Sequence, residues 1–218
     1  MEIVKWVIDA IFPKYCFGCG KEGIWVCDAC LKTIHVYRQK KYTGDCAEMP
    51  VSFLFSAYSY THPLIRNMVH ALKYEYIVEL GDMMGALLAC AYREYEYGIV
   101  SDAYVIPIPI HKKRLRERGF NQSEYISRSF AQCMQLFFTN SILERVVYTQ
   151  SQVHLSRSER IQNVTGAFRV LDKEKIQGKT VYLIDDVYTT GATLMEAAWI
   201  LQTAGAKNII GLTFAREE

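Results

Sequence analysis

The stretch that most constrains this chain is Val181, Tyr182, Leu183 and Ile184, running straight into Asp185 and Asp186. After Val187 and Tyr188 it continues into Thr189, Thr190, Gly191, Ala192 and Thr193. An uncharged, largely apolar run of this kind is how a strand buried on both faces of a parallel sheet reads. The acidic pair then falls where the strand leaves the sheet, which is where open α/β folds put their ligand crevice. Two adjacent carboxylates there can accept hydrogen bonds from neighbouring sugar hydroxyls, or hold magnesium through water. Further on, Leu194, Ala197, Ala198 and Leu201 are spaced as one face of a helix, so the threonine-rich segment is a small-residue loop opening a helix. Such a loop is an anion site: its N–H groups point outward, the helix dipole favours negative charge, and Gly191 lets a phosphate come close. Hydroxyl acceptors beside a phosphate cradle describe a sugar-phosphate site. The plainer alternative is two solvated carboxylates ahead of an ordinary capped helix.

The order of apolar strand, acidic pair and Thr-Thr-Gly-x-Thr resembles the phosphoribosyl pyrophosphate (PRPP) motif of type I phosphoribosyltransferases, with Tyr188 standing where an aliphatic residue is commoner. The resemblance implies that Asp185 and Asp186 are the catalytic pair facing the ribose hydroxyls. It implies also that Thr189, Thr190, Gly191, Ala192 and Thr193 wrap the 5-phosphate, and that Mg2+ accompanies PRPP.

A second cluster lies near the N-terminus. Cys16-x-x-Cys19 and Cys27-x-x-Cys30 supply a tetrahedral zinc set, with Gly18 and Gly20 permitting the tight turn that aims backbone N–H groups at sulfur. The gap of seven residues between the pairs is shorter than usual ribbon spacing, which predicts a compact hairpin. Four protein ligands leave no open position, so this Zn2+ is structural. Two disulfides are the alternative, disfavoured in a chain read as cytoplasmic. His35 and Cys46 are surplus to the set, and Cys90 and Cys133 fall at apolar helical positions that read as core.

At 218 residues the chain has room for one α/β domain and a small appendage. The expected division is 1–48, an N-terminal helix with the four-cysteine zinc module, and 49–218, a mostly parallel central sheet flanked by helices. A net charge of +2 gives no global field that argues for nucleic acid, so any basic partner site must be local. No apolar run approaches a membrane span, and residues 1–12 read as a short amphipathic helix rather than a signal peptide.

Along the body, residues 51–60 read as an aromatic-rich strand, and Pro63 starts a helix with Leu64, Ile65, Met68, Val69 and Leu72 on one face. Lys73 near its end reads as a cation favoured at a helix C-terminus. Leu80, Met83, Met84, Leu87, Leu88, Tyr92 and Tyr95 mark a longer helix. Residues 103–110 form a strand ended by Pro107 and Pro109. The one dense basic cluster follows, with Lys112, Arg114, Arg116 and Arg118 on a loop that enters the phosphate crevice. Pyrophosphate or a nucleic-acid backbone would each want these cations, and a solvated charged turn is the plain alternative. Phe120 and His111 are candidates for stacking on bases. Tyr125, Ile126, Phe130, Cys133, Met134 and Phe137 predict a helix, residues 141–148 a strand, 149–165 a long irregular connection, and 208–215 the last strand. Gly178-Lys179-Thr180 looks like the end of a P-loop, but it precedes a strand and Lys173 stands where that motif needs glycine.

Pro107-x-Pro109 followed by Arg116-x-Arg118-Gly119-Phe120-Asn121-Gln122 resembles the ComF family, also called GntX-like. The cysteine module in front and the PRPP motif behind occur in the same order there. Gln150, Ser151, Leu155, Ser156, Arg157, Arg160, Asn163 and Gly166-Ala167-Phe168 are similar to its linking segment. The resemblance implies PRPP binding with Mg2+, a structural Zn2+, and a role in competence or in handling incoming single-stranded DNA, with competence-machinery proteins as further partners. In type I phosphoribosyltransferases the loop matching 149–165 closes over PRPP, which makes Arg157 and Arg160 candidates for pyrophosphate or surface charges. An ordinary salvage or biosynthetic phosphoribosyltransferase and a non-catalytic PRPP-sensing module that binds DNA or protein remain the other readings.

Overall fold

Apolar runs alternating with helical stripes build a parallel sheet. The structure, a computed structural model, describes residues 13–37, 50–95, 98–148 and 165–217. The predicted helix at 1–12, Cys46, and most of the 149–165 connection with Arg157 and Arg160 lie outside them.

In chain order the elements are α1 (Asp28–Leu31), β1 (Phe53–Ser59), α2 (Pro63–Tyr74), α3 (Glu79–Glu94), β2 (Ala103–Pro107) and α4 (Lys112–Arg118). Then come α5 (Gln122–Met134), β3 (Phe137–Phe138), β4 (Leu143–Arg145), β5 (Phe168–Val170), β6 (Thr180–Tyr188), α6 (Ala192–Thr203) and β7 (Asn208–Arg216). Five strands pair in parallel in the order β1-β7-β6-β2-β3, while β4 and β5 form a separate antiparallel pair. β1 is therefore an edge strand of the main sheet, a point its sequence leaves open.

Side-chain alternation along the strands feeds two cores. On one face Phe55, Val105, Tyr182, Ile184, Leu212 and Phe214 pack with α2, α3 and α5. On the other, Ile106, Val181, Leu183 and Ile209 pack with α6 and the β4–β5 pair. The predicted stripe of α6, Leu194, Ala197, Ala198 and Leu201, is buried.

Several expectations need correction. The basic cluster is the helix α4 and not a loop. Lys, Arg, Leu and Glu are good helix formers, His111 Nδ1 caps the start by accepting from the Lys113 N–H at 3.1 Å, and Gly119, at φ 82°, ends it. β2 stops at Pro107, although the Ile108 N–H still donates to the Ile184 carbonyl. α5 ends at Gln135, in the left-handed region at φ 57°, so Phe137 sits on the exposed edge strand β3. The strand predicted over 141–148 is only β4. Cys90 is exposed rather than core, and Cys133 is partly buried.

Candidate functional site

The central strands β2 and β6 lie side by side, but the chain leaves them in opposite directions. From β2 it passes through α4 and α5 to β3 on one side, and from β6 through α6 to β7 on the other. That reversal opens a crevice at the carboxyl ends of the strands. A cavity of about 860 Å³ occupies it, lined by both carboxylates of the acidic pair and by all of residues 189–193.

The acidic pair lies inside β6, not beyond its end: Asp185 is in register with Thr213 of β7, and the strand runs on to Tyr188. Successive side chains of a strand point to opposite faces, so the two carboxylates meet different partners. Asp185 Oδ1 accepts from Ser123 Oγ of α5 and from the Asp186 N–H, each at 2.9 Å. Burial and the adjacent Asp186 charge push its carboxyl up to about 7, against the opposing pull of Lys73 and Ser123. Asp186 is buried and forms an ion pair with Lys73, Nζ to Oδ2 at 2.9 Å. Burial by itself would lower the Lys73 ammonium, but the Asp186 carboxylate outweighs it and raises it. Lys73 thus does more than decorate a helix end. It reaches from the last turn of α2 into the crevice, a long-range pairing with no local signal.

The loop after β6 is shaped by Gly191, which stands at φ 78° as the N-cap of α6. A Cβ there would lie 2.4 Å from the Tyr188 hydroxyl, so the tyrosine that departs from the usual motif packs on the glycine of its own loop. Thr190 Oγ1 accepts from the Ala192 N–H at 3.4 Å.

The basic helix divides at helical spacing. Arg114 and Arg118 line the cavity, whereas Lys112 and Arg116 do not. Lys112 is largely exposed and pairs with Glu144 at 2.7 Å, which also binds Arg169 at 2.7 Å. Arg118 donates to Gln122 Oε1 at 2.7 Å. Phe120 is no stacking surface: it is buried, with its ring edge-on to Tyr76 and Tyr125. A further cavity cation has no sequence signal beyond its charge. Arg145 of β4 is buried, with its guanidinium 5.5 Å from the Phe168 ring centroid. Burial and the nearby Arg114 charge lower its pKa, and Asp185 opposes them.

Cys16, Cys19, Cys27 and Cys30 are free cysteines whose sulfurs all lie within 4.8 Å of one another, a set that could hold a metal ion. The 3.6 Å between Cys19 and Cys27 Sγ is close to the edge of about 3.8 Å expected of a ZnS4 tetrahedron with 2.3 Å bonds. The Cys27 N–H donates to Cys16 Sγ at 3.3 Å. Burial raises the Cys16 thiol, but backbone N–H groups of Cys19, Cys27 and Gly18 bring it down to about 6. Gly18 abuts the cluster, and a Cβ there would be 2.6 Å from Cys30 Sγ. The hairpin docks on the body through Val26 in the main core, Trp25 Nε1 donating to Glu79 Oε2 at 3.0 Å, and Asn67 donating to the Phe17 carbonyl at 3.1 Å. No helix among the described residues is long and apolar enough to cross a membrane.

No family model matches the chain. It is 31% identical over 170 residues to DNA utilization protein YhgH of Salmonella typhi, covering 76% of this chain and 74% of that protein. It is 28% identical over 201 residues to competence protein F of Haemophilus influenzae, covering 89% of this chain and 86% of that protein. Among solved structures, a glutamine PRPP amidotransferase from B. subtilis overlaps with a TM-score of 0.41 at 18% identity, over 62% of this chain and only 26% of that one.

Proposed function

We propose, from the premise that the chain belongs to the ComF-like family with its phosphoribosyltransferase-type domain, that its crevice binds PRPP with magnesium, and that the protein serves the handling of incoming single-stranded DNA in the cytoplasm. The observation that carries this reading is one cavity holding, at a topological switch point, an acidic pair, a glycine-hinged threonine loop at a helix N-terminus, and three arginines. Asp185 and Asp186 take the ribose hydroxyls. Residues 189–193 take the 5-phosphate on backbone N–H groups and the helix dipole. Arg114, Arg118 and Arg145 take the pyrophosphate, since charge-assisted bonds to phosphate oxygens are the strong ones.

The crevice fits magnesium carried in by the pyrophosphate: Asp185, which accepts from the neutral Ser123 hydroxyl and the Asp186 N–H, offers a hard carboxylate that could hold such an ion through its water. Bound with PRPP, it would supply positive charge to the pyrophosphate as that group departs. In the reaction this site suits, the bond from the anomeric carbon to pyrophosphate breaks, positive charge builds on the sugar, pyrophosphate leaves with the bonding pair, and a nucleophile from the acceptor substrate forms the new bond to that carbon. The arginines hold the anion, and the carboxylate pair fixes the ring. In the same reading residues 1–48 are a zinc module, with Cys16, Cys19, Cys27 and Cys30 as structural ligands, and residues 49–218 the phosphoribosyltransferase-like domain. The DNA role is supported by the names of the relatives, DNA utilization protein and competence protein, and by Lys112, Lys113 and Arg116, which are exposed and outside the cavity lining.

Calorimetric titration tests the reading. PRPP with magnesium is expected to bind the wild type and to lose that binding in Asp185→Asn/Asp186→Asn, while salt-matched single-stranded DNA binds both proteins. A wild type that ignores PRPP overturns the PRPP reading.

A further inference from the structure

One carboxylate of the acidic pair already has a cation. Lys73 Nζ stands 2.9 Å from Asp186 Oδ2, and both residues line the cavity. Asp185, by contrast, takes neutral donors, the Ser123 hydroxyl and the Asp186 N–H. Glu75, beyond the end of α2, lies beside His70 at 3.5 Å. The position of Lys73 in the last turn of α2 also suits a cation. A divalent ion bonded to Asp186 would place a second cation on an anion the ammonium already neutralises, in a buried setting where such repulsion is poorly screened. A site meant to take Mg2+ directly on this pair would keep both carboxylates clear of other cations. One meant for uncharged hydroxyls gains from a fixed counter-ion, which holds a buried carboxylate ionised and in place to accept hydrogen bonds.

We propose that Lys73 is the resident counter-ion of the acidic pair, so that the ribose hydroxyls are recognised without a divalent ion and magnesium enters only with the pyrophosphate. Lys73 is then a positioning residue, acting on the sugar through Asp186. This rests on the PRPP reading and deepens it.

The test titrates ribose 5-phosphate, in EDTA and in excess magnesium, into wild type and Lys73→Met, with PRPP and magnesium into wild type alongside. The wild type is expected to bind ribose 5-phosphate with the same affinity, within about twofold, in both media. Lys73→Met, its fold checked by circular dichroism, is expected to lose at least about tenfold in EDTA, the scale of stripping one partner from a buried charge pair, and to recover part of that loss in magnesium. A purely structural role for Lys73 would not create a metal requirement. Wild-type binding of ribose 5-phosphate that weakens tenfold in EDTA overturns the inference, whether or not the variant folds. So does a folded variant with unchanged metal-free affinity. If PRPP binds wild type and ribose 5-phosphate behaves otherwise than expected, only the inference fails; if neither ligand binds, the PRPP reading falls and the inference falls with it.

Discussion

Replacing Asp185 by Asn should make the protein more stable and less able to bind. The folded carboxyl titrates near 7, held up first by burial and then by the Asp186 charge, against about 3.9 in an unfolded chain. Between about pH 4 and pH 7 the folded state therefore binds more protons than the unfolded state, and stability falls as pH rises through that window. The ceiling from linkage is about 4 kcal/mol. Water reaching the partly open carboxylate from the cavity screens part of it, so about 2 kcal/mol is expected. Asn keeps an oxygen for the Ser123 hydroxyl and the Asp186 N–H, both bonded to Oδ1 in the wild type, and removes only the charge. Urea unfolding of both proteins at pH 4 and pH 8 measures the effect. The stability difference should move in favour of Asp185→Asn by about 2 kcal/mol between the two pH values. Parallel curves, or a variant that loses ground at pH 8, would mean that the Asp185 carboxyl is not held above its unfolded value.

Gly18→Ala puts a methyl 2.6 Å from Cys30 Sγ and should weaken zinc binding by about tenfold, read by competition with a chromophoric chelator; unchanged affinity would count against the tetrahedral set. Arg114→Ala should weaken PRPP binding by about tenfold or more, because Arg114 lines the cavity and Arg116 does not. Arg116→Ala serves as the matched control, and equal losses would remove the distinction between the two faces of α4. Gly191→Ala, at φ 78° and against the Tyr188 hydroxyl, should cost about 1 kcal/mol or more in urea unfolding and weaken binding of the 5-phosphate.

The central strand and the helix after it were legible because their signal is local. The apolar run at 181–184 and the stripe at 194, 197, 198 and 201 need only their own spacing, and both are buried as that spacing implies. The cysteine cluster was legible for the same reason. What the sequence hid depends on tertiary contact. Lys73 reads from sequence as a helix-end cation because its partner Asp186 lies far along the chain, brought beside it only when α2 packs on the sheet. Arg145 carries no local signal within residues 141–148, and its burial follows from the short β4–β5 pair placing it over Phe168. The run of charge in α4 suggests a solvated loop, whereas His111 and Gly119 close both ends of a good helix-forming segment.

The most direct measurement is a crystal structure with PRPP and magnesium bound. In that complex the ribose hydroxyls are expected on Asp185 and Asp186, the 5-phosphate on the backbone N–H groups of residues 189–193, and the pyrophosphate among Arg114, Arg118 and Arg145. An empty crevice, or phosphate held only on the outer face of α4 by Lys112 and Arg116, would contradict that placement.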